Sequence, residues 1–203
     1  MNLPNKITLT RICMIPIFVL IFFLDGVLPF AQGIAAIIFA LAACTDFIDG
    51  HIARSRGLVT NLGKFLDPIA DKVLVSTAMI LILTMKNNLF SNNFGANADW
   101  LYIATVVCVC IIMARELIIS AFRQIAAVNG IVMAADKLGK VKTTFQDVAI
   151  FFLIFAGGFV QMSSNLDKIS GIIGLVLFAI ATILTVWSGI SYVVKNKQVL
   201  KDA

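Results

Sequence analysis

The chain has 203 residues, 60% of them hydrophobic and 13% charged, and a mean hydropathy of +0.99; soluble domains carry about a quarter charged residues, so an ordinary soluble domain is excluded. A membrane span takes about 20 residues of helix, so this length admits six spans with short connections and no separate soluble domain. The net charge of +5 needs no nucleic-acid partner, because basic residues collect on the cytoplasmic side of membrane proteins.

The expected fold is all-α: one membrane-embedded domain over residues 1–203, with six transmembrane helices and a short N-terminal interfacial helix. Asn2-Leu3-Pro4-Asn5 reads as a helix start, with Asn as cap and Pro in the first turn. Asn5, Thr8 and Arg11 recur every three positions along one slowly drifting stripe, which taken alone reads equally well as a solvated interfacial face. Lys6, Arg11 and the apolar run behind them imitate a secretory signal, but no small-residue cleavage site adjoins, so a retained first span is predicted.

Spans are predicted at about 9 to 28, 31 to 54, 64 to 86, 99 to 124, 141 to 162 and 169 to 194. Asp25-Gly26 with Pro29, Ser55-Arg56-Gly57, Lys86-Asn87-Asn88, Val128-Asn129-Gly130 and Ser163-Ser164-Asn165 mark the breaks. With both termini inside, the cytoplasmic side collects twelve basic residues from Lys6 to Lys201, and the opposite side keeps Lys86 and Lys168. This pattern predicts a multi-pass membrane protein in contact with membrane lipid, its basic end toward the cytoplasm. Cys13, Cys44, Cys108 and Cys110 fall in apolar spans, read as small buried hydrophobes, and imply no disulfide framework.

Carboxylates are expensive inside such spans, and the second and third carry four. Asp46 and Asp49 are three apart and share a helix face; Asp67 and Asp71, four apart, share another. Like charges about 4 Å apart repel by roughly 4 kcal/mol at an effective dielectric near 20. Protons or cations must neutralise them, and all-oxygen ligands suit Mg2+ or Mn2+ rather than zinc or copper. Asp46, Asp49, Gly50 and Ala53 keep to a face about 100° wide, with Arg54 at its edge. Small residues there leave room for a ligand beside the backbone and Arg54 can hold phosphate, which together describe a diphosphate site near the cytoplasmic face.

The run Asp46-x2-Asp49-Gly50-x2-Ala53-Arg54-x8-Gly63-x3-Asp67-x3-Asp71 resembles the signature of the CDP-alcohol phosphotransferase family at every fixed position. The resemblance implies a six-helix membrane enzyme, usually a homodimer, in which an alcohol displaces CMP from a CDP-linked lipid. It implies two divalent ions on Asp46, Asp49, Asp67 and Asp71, with Asp71 as general base. Gly50 and Ala53 would line the cytidine pocket with Asn5 and Thr8 nearby, and Arg54 would meet the phosphates. Ion pairs of these carboxylates with Arg54, Arg56, Lys64 and Lys72 are the structural alternative; Lys72 is expected to extend toward the membrane surface and His51 to be a bystander.

The second half bears on the acceptor. Arg115-Glu116 interrupts the fourth span, Arg123 follows, and Lys137, Lys140 and Lys142 precede Gln146. So dense a basic cluster suits an anionic acceptor, with Glu116 orienting a basic neighbour; loop charge alone is the alternative for the lysines. The run Lys-x-Gly-Lys-x-Lys-Thr-x-x-Gln and the opening Asn-Leu-Pro-Asn-x-x-Thr-x-x-Arg are similar to family members whose substrates are CDP-diacylglycerol and glycerol 3-phosphate. That similarity makes Arg115, Arg123, Lys137, Lys140 and Lys142 candidates for the acceptor's phosphate. Another acceptor (inositol phosphate, serine or a lipid) and a divalent-cation transporter are the competing readings. Prenyltransferases also pair acidic motifs, but in well-separated parts of the chain.

Overall fold

A computed structural model describes residues 3–56, 61–128, 137–158 and 164–196. Among the described residues the chain is entirely helical: α1 (Leu3–Phe22), α2 (Ala31–Arg56), α3 (Asn61–Thr84), a π-helical stretch (Lys86–Ser91), the short α4 (Asn92–Phe94), a 3-10 turn (Gly95–Asn97), α5 (Ala98–Val128), α6 (Lys137–Gly157) and α7 (Ser164–Lys195). The six long helices correspond to the six predicted spans.

Pro4 is tolerated in the first turn, where its missing N–H has no helical partner, and nothing breaks the helix before Phe22. The segment expected as a separate interfacial helix is therefore the opening of α1. The helix ends six residues before the predicted boundary at 28, because a turn is stitched there from outside: Asp25 Oδ2 accepts from Gln32 Nε2 at 3.1 Å and from Asn88 Nδ2 at 2.8 Å. The lysine run counted with the loop is helical and forms the opening of α6. The predicted break at Asn129-Gly130 and the last residues of the fifth predicted span lie outside the described residues.

Helix α2 packs against α1, α3 and α6, and α6 lies along α7. Ala31, Ala35, Ala36, Phe39 and Ala42 make one fully buried stripe on α2, at the three- and four-residue spacing of a single helical face. Phe18 of α1 meets Phe39 with ring centroids 6.0 Å apart, and Leu153, Ile154 and Phe178 complete the core from α6 and α7.

The exterior is inverted relative to a soluble protein: Leu20, Leu117, Ile183, Trp187 and Ile190 all stand exposed. Patches of this extent mark a surface meant for partner or lipid. Lys86–Ala126 and Asn165–Lys195 are long and apolar enough to cross a membrane, and Thr8–Phe22 and Ala31–Thr45 are shorter apolar stretches. All four cysteines are free. The expectation of burial fails for Cys13, Cys44 and Cys110, which face outward, since an apolar exterior accepts a thiol as readily as a core does.

Close helix contact rests on missing side chains, as is usual where helices pack in lipid. A Cβ on Gly158 would come within 2.6 Å of the Gly33 backbone nitrogen, whereas one on Gly139 would meet nothing within 4 Å. Gly158→Ala is expected to destabilise the fold by roughly 1–3 kcal/mol, because the clash is with backbone that cannot step aside. Gly139→Ala should be neutral or slightly stabilising. Thermal unfolding of both variants in detergent tests the pair; equal stability would mean that α2 and α6 are not in close contact.

Candidate active site

The acidic motif is split across the α2–α3 hairpin, whose two helices pack together. Counted back from Arg56, Asp49 and Asp46 are seven and ten residues in; counted on from Asn61, Asp67 and Asp71 are six and ten residues in. At 1.5 Å per residue both pairs lie about 9–15 Å along their helices from the link. Four carboxylate-bearing positions thus stand at matched depth along the two helices, a residue type whose oxygens suit a hard divalent ion rather than a soft one. The side chains of Asp46, Asp49, Gly50, Ala53, Arg54 and Asp67 lie outside the described residues, as do those of Asn5 and Lys137. Among the described residues no group of three or more His, Cys, Asp or Glu forms a metal site.

The Asp71 side chain is described: it is half-buried and lines a cavity of about 90 Å³ enclosed by α3, α5 and α6. Lys72, Glu116, Lys142 and Gln146 share that lining. Lys142 is only 1% exposed, and its Nζ donates to Glu116 Oε1. The same oxygen accepts from Arg115 Nη1 at 3.0 Å, so Glu116 holds two cations. Arg115 is turned toward α7, where its Nη2 donates to Ser188 Oγ at 3.0 Å. Room for it comes from Gly189, whose added Cβ would stand 3.1 Å from Arg115 Cγ.

Lys72 departs from expectation. Its ammonium donates to Ser120 Oγ, and Ser120 in turn donates to the Glu116 carbonyl, so the side chain is drawn across to α5 rather than out to a membrane surface. Gln146 is 3% exposed; its Nε2 reaches only the Met79 thioether, at 3.9 Å, and its Oε1 has no partner.

Among the described residues, the basic candidates Arg123 and Lys140 do not line this cavity. Arg123 is exposed and lies over Tyr192 of α7, with its Nε donating to the phenol oxygen at 3.1 Å and its guanidinium 5.1 Å from the ring centre. Lys140 is exposed on the opening turn of α6. Cations at a helix N-terminus oppose the helix dipole, so Lys140 and Lys142 in the first turns of α6 favour a site that will receive an anion.

On α1 the described part of the polar stripe is not solvated: Thr8 and Arg11 are each 1% exposed. Arg11 Nε donates to Thr45 Oγ1 at 3.3 Å, immediately before Asp46 in sequence. Glu116 orients basic neighbours as expected, whereas Arg11 and Gln146 are polar side chains to which the sequence assigns no role. The three-residue spacing of Arg11 from Thr8 carries a signal for it, whereas Gln146 is distinguished by what surrounds it.

The sequence pattern described as CDP-alcohol phosphatidyltransferase matches residues 1–187. A Bacillus subtilis (strain 168) protein named CDP-diacylglycerol–glycerol-3-phosphate 3-phosphatidyltransferase is 37% identical over all of this chain and 98% of its own length. Proteins of the same name from Rickettsia bellii, at 35% identity over 94% of this chain and 93% of the relative, and from Shigella flexneri serotype 5b, at 38% over 99% and 98%, are similar along their whole lengths. With the motif on one hairpin and the match running nearly from end to end, the chain belongs to the CDP-alcohol phosphatidyltransferase family.

Proposed function

We propose that this protein is a membrane-embedded phosphatidyltransferase that moves the phosphatidyl group of CDP-diacylglycerol to glycerol 3-phosphate, giving phosphatidylglycerol phosphate and CMP. The observation that carries the reading is the cavity in which Asp71 shares a lining with the Lys142–Glu116 pair. A carboxylate able to take a proton and an ammonium able to hold an anion are what a phosphorylated alcohol needs on its two ends. The names of the full-length relatives supply the substrate pair.

Asp71 takes the proton of the acceptor's primary hydroxyl as its oxygen attacks the phosphorus that bears diacylglycerol, and the bond from that phosphorus to the oxygen of CMP breaks. Lys142 holds the acceptor's phosphate, kept in place by Glu116. Arg115 supports it through the same carboxylate, while Lys137, Lys140 and Arg123 add to the positive potential that attracts an anionic acceptor. Asn5, Thr8, Gly50, Ala53 and Arg54 serve the CDP end of the donor. Mg2+ or Mn2+, two ions held by Asp46, Asp49, Asp67 and Asp71, would neutralise the diphosphate and stabilise the leaving group.

The exposed apolar exterior suits six spans in a bilayer, with the lipid tails of the donor entering sideways. The excess of basic residues at one end favours a cytoplasmic orientation of the site. A homodimer would cover part of the remaining apolar surface.

The test is CMP release by purified protein in mixed micelles containing CDP-diacylglycerol and Mg2+, with and without glycerol 3-phosphate. Release that requires glycerol 3-phosphate and yields a phosphorylated lipid is the expected result. Release only with inositol phosphate, serine or a lipid alcohol would replace the acceptor. Silence with every acceptor, together with Mg2+ uptake into proteoliposomes, would replace the enzyme with a transporter.

A further inference from the structure

Gln146 is out of keeping with its surroundings. It is 3% exposed, it lines the cavity that holds Asp71 and Lys142, and its Oε1 is unpartnered while its Nε2 has only a thioether at 3.9 Å. Buried amides are normally paired at both ends, because an orphaned donor or acceptor carries its full desolvation cost. The cavity of about 90 Å³ has room for roughly three waters at about 30 Å³ each, or for part of a small polyol. A group entering it can supply what the amide lacks.

The amide offers one acceptor and two donors. A phosphate oxygen would satisfy the NH2 and repel Oε1; an ammonium would do the reverse. A hydroxyl both donates and accepts, so it can satisfy either end of the amide. On α6, Lys142 and Gln146 are four residues apart and therefore neighbours on one face. An acceptor whose phosphate rests on Lys142 and whose attacking hydroxyl meets Asp71 has one polar group left, its secondary hydroxyl. Resting on the glycerol 3-phosphate reading above, we infer that Gln146 is the specificity-determining residue that reads the secondary hydroxyl of the acceptor.

The experiment compares kcat/KM for glycerol 3-phosphate and for 3-hydroxypropyl phosphate, which has the same primary hydroxyl and phosphate but lacks the secondary hydroxyl. The wild-type protein is expected to prefer glycerol 3-phosphate by about tenfold or more, since a site built to bond a hydroxyl rejects the analogue without it. In Gln146→Met, which keeps the length and volume and removes donor and acceptor, the ratio falls to about one, through loss on glycerol 3-phosphate alone. A wild-type ratio near one overturns the assignment without any variant, so a Gln146→Met protein that fails to fold does not shelter it. A large ratio that survives in Gln146→Met also overturns it. Wild-type CMP release with some other alcohol and with neither phosphate ester overturns the acceptor reading itself, a result separable from both.

Discussion

Asp71→Asn is expected to lower kcat for CMP release by roughly a hundred- to ten-thousandfold, the range that a positioned general base contributes, while CDP-diacylglycerol still binds. The substitution preserves shape, and Asp71 sits in the third turn of a continuous helix, half-buried against a cavity rather than in the core, so the fold should tolerate an amide there. An amide cannot take the proton of the attacking hydroxyl. Because the family's motif also counts Asp71 among the carboxylates that hold metal, the assay should be run across Mg2+ concentrations. If saturating Mg2+ restores wild-type kcat, Asp71 is a ligand only and the base lies elsewhere. If kcat stays low at every concentration, the loss belongs to proton transfer.

How far the sequence could be read depended on whether a property belongs to one helix or to two. The positions of the six long helices follow from apolar runs and their breaks, because length and hydropathy are local. The acidic motif was legible for the same reason: three- and four-residue spacings put each pair on a face wherever the helices go. What failed was set by partners. The end of α1 is fixed by Gln32 and Asn88 reaching Asp25, and no window over residues 20–30 contains Asn88. Lys72, expected at the membrane surface, and Arg115, Arg123 and Lys142, expected at the acceptor, are all cations in or beside spans whose partners lie on other helices. One bonds Ser120, one leans on Ser188, one lies over Tyr192 and one is buried on Glu116. Of Arg115, Arg123 and Lys142, the three among them that are candidates for the acceptor, Lys142 alone lines the cavity beside Asp71, and choosing among them requires knowing which helices adjoin.

The same pairing predicts that stability and activity can be separated at Glu116. Glu116→Leu removes the carboxylate that holds both Lys142 and Arg115 and leaves a lysine 1% exposed without its counter-charge. Breaking a buried pair from one side costs about 3–5 kcal/mol, so the single variant should unfold at markedly lower temperature in detergent. The double variant Glu116→Leu with Lys142→Met replaces both charges by apolar groups of similar size, a change that is often neutral for stability. Arg115 also loses its carboxylate there, but it is partly exposed and keeps its bond to Ser188. Thermal stability should therefore return most of the way to wild type, while glycerol 3-phosphate-dependent CMP release stays lost because no cation remains on that wall of the cavity. Recovery of release along with stability would mean that Lys142 and Glu116 are a structural pair and that the acceptor's phosphate is held by other residues. Recovery of stability alone would assign the buried charge to the substrate, since the fold would have no need of it.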